Sequence, residues 1–204
     1  MLGDAPSGEI RVATRADEDH VVDALTFGFA EDPILAGTMF PDDELYPTFA
    51  RRYFGVWTDL ALDLGTIWTT GDTVGALLTF PSESLPALDN ESDLHARLIE
   101  ACGPYAERVL SVHNVLDLQH PEQPPHHYAL FMGVAPGRRS RGLGTRLAHE
   151  LFALADSEGR AVYGEASCER NSRLYIRMGL RPTGERITVF AHDILPLWRP
   201  STRR

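Results

Sequence analysis

The chain has 204 residues, 43% apolar and 24% charged, which is ordinary for a folded soluble domain and long enough for one sizeable core. Its net charge of -10 disfavours a general nucleic-acid partner, which ordinarily meets a basic face, and would suit a cationic substrate. All 19 basic residues are arginine, so no side chain can form a lysine Schiff base. Cys102 and Cys168 make neither a disulfide framework nor a CxxC metal pair. The opening "MLGDAPSGEI" lacks the basic and apolar regions of a signal peptide, and no apolar run approaches the ~20 residues of a membrane helix. A cytoplasmic setting without a membrane is the expectation.

Residues 1–8 read as a loose tail. Ile10 and Val12 alternate with charged residues, which predicts a first strand. Asp17 is placed to cap a helix carrying Val21, Val22, Leu25 and Phe29, with Pro33 as its stop. Leu45, Phe49, Tyr53, Trp57 and Leu60 predict a second amphipathic helix, ended by Gly65. With Tyr46, its aromatics suit core packing or an apolar pocket for an aromatic amine. "TIWTTGDTVGALLTFP" reads as a hairpin turning at Gly71-Asp72 with glycine first. Leu94, Leu98 and Cys102, then Tyr105, Val109, Val112 and Leu116, predict one or two helices. "PEQPP" breaks the chain, and "HHYALFMGV" reads as a strand buried on both faces. "AVYGEAS" reads as a strand, "ERNSRLYIRMG" as a short helix and "GERITVFAHDILPLW" as a closing strand pair. No linker or repeat divides the chain, so a single mixed α/β domain over 9–200 is expected, with a second tail at 201–204.

The most informative stretch joins the strand ending at Val134 to a helix with Leu143, Leu147, Leu151 and Leu154 on one face and Gly159 at its end. Between them lies Arg139-Ser140-Arg141-Gly142-Leu143-Gly144. Leu147 stands where the dinucleotide fingerprint needs its third glycine, and a P-loop needs a lysine that the chain lacks. A helix start still offers unpaired N–H groups and partial positive charge, and glycines let an anion come close. A pyrophosphate fits that description. Arg138, Arg139, Arg141 and Arg146 add positive charge around it.

Val134-Ala135-Pro136 followed by Arg139 to Gly144 resembles the acetyl-coenzyme A motif of the GNAT acyltransferases. Asn171, Tyr175 and Gly179 resemble the later part of the family pattern, N-x-x-x-Y-x-x-x-G-[FL]. "IRVATRADEDH", "FAEDP", "IWTTGDTVGALLTFPSES" and "GEASCERNSRLYIRMGL" are most similar to the puromycin N-acetyltransferase branch. The resemblance implies one α/β (α+β) domain with a central mixed, mostly antiparallel sheet of about six or seven strands, flanked by helices, and a splayed strand pair at the cofactor cleft. It implies acetyl transfer from acetyl-CoA to an amine by direct attack in a ternary complex, with no metal, and admits a homodimer. Met132, Gly133, Val134, Arg139, Ser140, Arg141, Gly142, Leu143, Gly144, Thr145, Asn171 and Tyr175 would hold acetyl-CoA. Tyr175 would protonate the leaving thiolate.

Glu165 is the first candidate for the base that frees the amine, because its strand end should face the cleft. Glu31 and Asp32 fall where the family often builds its acceptor pocket. Cys168 has no evident histidine partner for an acyl-enzyme role, and His113, His120, His126 and His127 lack a recognisable metal-ligand spacing. A catalytically silent acyl-CoA-binding domain and a protein or peptide acetyltransferase are the alternatives. Neither the acceptor amine nor the acyl length is legible.

Overall fold

The computed structural model describes residues 9–90, 93–139 and 141–203. The expected tail at 1–8, Ser140 and Arg204 lie outside the described residues. In chain order the elements are β1 (Ile10–Val12), α1 (Glu18–Gly28), α2 (Tyr46–Leu64), β2 (Thr66–Thr70), β3 (Gly75–Pro81), α3 (Leu85–Asn90), α4 (Leu94–Cys102), α5 (Ala106–Asp117), β4 (His126–Val134), α6 (Leu143–Glu158), β5 (Ala161–Ala166), α7 (Glu169–Arg177), β6 (Arg181–Pro182), β7 (Ile187–Val189) and β8 (His192–Arg199). No helix among the described residues is long and apolar enough to cross a membrane.

One sheet runs β1-β2-β3-β4-β5-β8-β6, with β7 also paired to β8, which gives eight strands. Among the described residues only β4 and β5 run parallel, and the other pairings are antiparallel. This is the architecture expected of a single GNAT-type domain. Two apolar layers hold it together. One packs α1, α2, α4 and α5 on the sheet through Leu25, Phe54, Leu98 and Val109. The other sets Leu147, Leu151 and Ala155 of α6 against Leu77, Val162 and Leu197. Arg199 braces the second layer, with its fork on Asp156 at 2.7 and 2.9 Å and its plane over Phe152. Residues 201–203 form no helix or strand but are tied to α6, where the Thr202 N–H donates to Asp156 at 2.9 Å and Arg203 donates to the Ser157 carbonyl at 2.5 Å.

Several local expectations change. Asp17 precedes α1, but its carboxylate accepts bonds from the Arg11 fork and from Thr14 instead of capping α1. The Arg11 guanidinium holds that carboxyl well below the usual carboxylate range, with the Thr14 bonds assisting. Helix α1 ends at Gly28, before Pro33, and the chain then makes one wide turn over Leu35–Met39, seen in the Met39 N–H to Ile34 carbonyl bond of 2.8 Å. The β2–β3 turn is longer than a two-residue hairpin. Its positive φ of 51° falls on Thr73, not on Gly71, and Thr70 stabilises it by accepting from Thr73 N–H and Val74 N–H.

Helix α1 lies against β4 with almost no side chain between them. A Cβ on Gly28 would stand 3.0 Å from both Gly133 Cα and Val134 N, and one on Gly133 would stand 3.2–3.4 Å from Leu25 and Ala24. Backbone cannot yield as a flexible side chain does, so Gly28→Ala should lift α1 from the sheet. A loss of roughly 1–3 kcal/mol is expected, which is ~2–4 °C of melting midpoint per kcal/mol at this chain length. Gly55, in the middle of α2 with nothing within 4 Å of its added Cβ, is the control. In thermal melts Gly55→Ala should be neutral or stabilising, and equal behaviour of the two variants would refute the close packing.

Candidate active site

The parallel pair at the centre of the sheet is short. β4 and β5 are in register only at His126–Ala161, His127–Val162 and Tyr128–Tyr163. Beyond Tyr128 they part. β4 continues with β3 as far as Val134, and β5 continues with β8 as far as Ala166. The β3–β4 register slips by one residue, pairing Leu78 with Phe131 and Thr79 with Ala129, so Leu130 is an extra, bulged residue that bends β4 where it leaves β5. Beyond Ala129 the backbone edge of β4 that faces β5 has no ladder partner there.

An inner pocket and an outer groove meet at this gap. Glu165 and Tyr128 line the pocket together with Phe29, Phe131, Tyr53 and His113. Arg138, Arg139, Gly142, Leu143, Gly144 and Thr145 line the groove at the start of α6, with Arg170 and Arg177 opposite on α7. The groove holds about 400 Å³, within the ~300–1,000 Å³ usual for small-molecule sites. Met132, Asn171 and Tyr175 line both spaces, so they mark the junction.

Most residues expected to hold acetyl-CoA meet at this groove. Met132 and Val134 flank it from β4. Gly142 precedes α6 with a φ of 74°, the left-handed region that glycine supplies readily. Gly144 passes Met132 at 3.6 Å from its added Cβ. Gly133 instead faces α1, Arg141 and Arg146 are exposed and outside the lining, and Ser140 is not described. Arg139 reaches the groove, but its fork is spent on protein. It donates to the Gly28 carbonyl at 2.9 Å and pairs with Glu31 at 2.5 Å, tying the end of α1 to the end of β4. Sequence reasoning missed Arg170 and Arg177, whose helix reads there only as a carrier of Asn171 and Tyr175.

Glu31 and Asp32 line the groove, not the inner pocket. Exposed Glu31 serves Arg139. Asp32 is 8% exposed and saturated: its Oδ1 accepts the Ile34 and Leu35 N–H groups at 2.9 and 3.0 Å, and its Oδ2 accepts the Ser167 hydroxyl. Burial pushes the Asp32 carboxyl up, and those three bonds draw it back. The Asp32–Ser167 bond joins the chain after α1 to the chain after β5.

Glu165 has the opposite character. Its Oε1 is buried without a hydrogen-bond partner. Tyr128 and Tyr163 favour its anion, yet Tyr163 Oη also closes no hydrogen bond. Burial dominates and pushes the Glu165 carboxyl up to about 7. Tyr175 is also pushed up, first by burial and then by Asp32 and Cys168, so its hydroxyl keeps its proton at neutral pH. Cys168 lines the groove, where no histidine stands.

The histidines have structural partners. Tyr53 Oη meets His113 Nε2 at 2.9 Å, His120 meets His126 at 3.0 Å, and His127 meets Glu158 at 2.7 Å. Of the aromatics on α2, only Tyr53 lines the inner pocket. Tyr46 donates to the Thr26 carbonyl, Trp57 is core, and Phe49 packs on Tyr105.

No protein-family model matches the chain. Solved structures share its fold. One described as histone acetyltransferase HPA2 and related acetyltransferase, from Corynebacterium glutamicum, is 26% identical, with 97% of this chain and 98% of that one covered and a TM-score of 0.73. Arylalkylamine N-acetyltransferase 2 from Aedes aegypti is 14% identical over 94% of this chain and 98% of its own, with a TM-score of 0.63. A Drosophila melanogaster polyamine N-acetyltransferase is 16% identical over 94% and 99%, with a TM-score of 0.54.

The desolvated acid has a thermodynamic signature. Glu165 holds its proton in the folded chain up to about pH 7 but releases it near pH 4–5 when unfolded. Folding stability therefore falls as pH rises between those values and stays low above them. Glu165→Gln removes the penalty. Denaturant unfolding of the variant and the parent should diverge in the variant's favour by on the order of 3 kcal/mol between pH 4 and pH 8. A difference independent of pH would mean that Glu165 is not desolvated.

Proposed function

We propose that the protein is an acetyl-CoA-dependent N-acetyltransferase that modifies a small amine by direct attack in a ternary complex. One observation carries the reading: a groove at a helix N-terminus and a pocket with a desolvated carboxylate open onto the same strand gap, and Asn171 and Tyr175 line both. The fold shared with solved N-acetyltransferases adds support, and so does the pocket, whose apolar lining around one carboxylate suits a small amine. The likeness to the puromycin N-acetyltransferase branch makes puromycin one acceptor to try. The two free cysteines suit the cytoplasmic setting proposed with it.

Acetyl-CoA would supply the activated acyl group as a thioester. The N–H groups that open α6, with Gly142, Gly144 and Thr145, would receive its pyrophosphate, and Arg138, Arg170 and Arg177 would add charge. The open edge of β4 over Met132 to Val134 would bind its amide-bearing arm, and an N–H near Gly133 or Val134 would polarise the carbonyl. Glu165 would take the proton of the attacking amine. As the new C–N bond forms and the C–S bond breaks, Tyr175 would return a proton to sulfur. Asn171, one helical turn before Tyr175, would orient the arm.

Isothermal calorimetry with acetyl-CoA and free-thiol release with an amine panel test the reading. Gly142→Asp sets a negative charge against the pyrophosphate in a residue type that tolerates the left-handed region, so the fold should stand while acetyl-CoA binding is lost. Undiminished affinity in that variant would sink the groove assignment. Tyr175→Phe should keep acetyl-CoA affinity and lower kcat by ~10²–10⁴-fold. The rate should rise with pH through about 7 as Glu165 ionises, and Glu165→Gln should flatten that limb.

A further inference from the structure

We infer that the acceptor is a monoamine on an apolar, aromatic body with a hydroxyl-like group, and that the pocket selects against polyamines. The inference rests on the acetyl-transfer reading above. Among the described residues lining the inner pocket, Glu165 is the only carboxylate, and no arginine stands with it. Its apolar walls include Phe29, Ile34, Leu35, Met39, Leu116 and Phe131. One ammonium group therefore finds one partner. A second cation on the same molecule would be driven against hydrocarbon with no second carboxylate in the lining to pair with it, a desolvation that apolar contact does not offset. Asp117 influences Glu165 from the end of α5, but it is exposed and outside the lining; exposed Glu31 and buried Asp32 are outside it as well.

The helical layer provides a second polar feature. Tyr53 from α2 and His113 from α5 line the same pocket, joined at 2.9 Å. Burial keeps His113 uncharged at neutral pH. The bond between them uses one lone pair and one hydrogen, so the phenol–imidazole pair keeps one hydrogen to donate and lone pairs with which to accept. It can meet a hydroxyl or an ether and has no charge to offer a second ammonium. The two ends of the site thus differ: an acid on the sheet for the amine, and a neutral donor–acceptor pair on the helices for the body of the substrate.

Phenethylamine, tyramine, agmatine and spermidine separate these features. Each is titrated calorimetrically into the protein saturated with coenzyme A, and each is assayed for thiol release with acetyl-CoA. Phenethylamine should exceed agmatine and spermidine by ~100-fold or more in affinity and in kcat/KM, as a buried unpaired charge demands. Tyramine should exceed phenethylamine by about threefold to tenfold in the parent protein, and the ratio of the two should fall to about one in Tyr53→Phe, whatever common change the variant brings to both amines; an undiminished ratio overturns the role of the Tyr53–His113 pair. Agmatine or spermidine binding as well as phenethylamine overturns the inference, whether or not thiol release occurs. Selective binding of the aryl monoamines without thiol release supports the pocket and overturns acetyl transfer. Absence of binding by all four amines overturns the inference, and acetyl-CoA binding in the same preparation reports on the groove separately.

Discussion

The parting of β4 from β5 governs everything else in this molecule. Each strand has one edge satisfied, β4 by β3 and β5 by β8, and one edge turned into the gap. Main-chain N–H and C=O groups left inside a domain need partners, and a gap in the middle of a sheet is an uncommon place to leave them open. The bulge at Leu130 bends one strand away. At Gly164 the strands still run close, since a Cβ there would stand 3.1 Å from the Ala129 carbonyl oxygen. A ligand arm rich in amides is the natural complement of such a gap, because it can continue the ladder that the strands abandon.

The surrounding packing keeps the gap open and addressed. Helix α1 presses backbone to backbone on the free part of β4 through Gly28 and Gly133, which fixes where that strand runs. Arg139 locks the same corner from the other end. The short connection from Val134 to Leu143 then brings the positive end of α6 to the mouth of the gap. Charges are sorted accordingly. Arginines of the α6 loop and of α7 surround the outer groove, while the inner pocket keeps one acid in apolar walls. In an acidic protein the groove gathers four arginines, although Arg139 is paired with Glu31 and Asp32 shares the lining.

Much of this was legible in the sequence, and the reasons differ by feature. Periodicity located α1, α2, α6 and β4 because each buries a continuous stripe. The glycine–arginine loop was legible because phosphate recognition at a helix start depends on backbone geometry, which only a few residue types permit. The wide turn at Leu35–Met39 escaped because Pro33 reads only as a stop, whereas Asp32 before it opens a new turn by accepting the Ile34 and Leu35 N–H groups. Arg139 was read as an anion ligand because charge and proximity are visible in a sequence. Its partners Gly28 and Glu31 lie more than a hundred positions away, and only folding brings them near. Ser167 was missed for the same reason. Tyr163 could have been found, since it sits two residues before Glu165 and so shares its face of β5.

Two desolvated carboxylates flank the gap, Asp32 buried and Glu165 partly buried, and their surroundings decide which is free to do chemistry. Both are pushed up by burial. Asp32, however, has both oxygens engaged, by two backbone N–H groups and the Ser167 hydroxyl, so accepting a proton from a substrate would cost the bonds that hold the turn after α1. Glu165 has an oxygen with no partner at all, in a pocket that has room for one. An unsatisfied buried acceptor is costly to a folded chain unless a ligand's donor completes it. The same deficit that weakens the fold at high pH thus becomes an attraction for an N–H bond. Asp32 shapes the wall of the gap, and Glu165 waits at its centre.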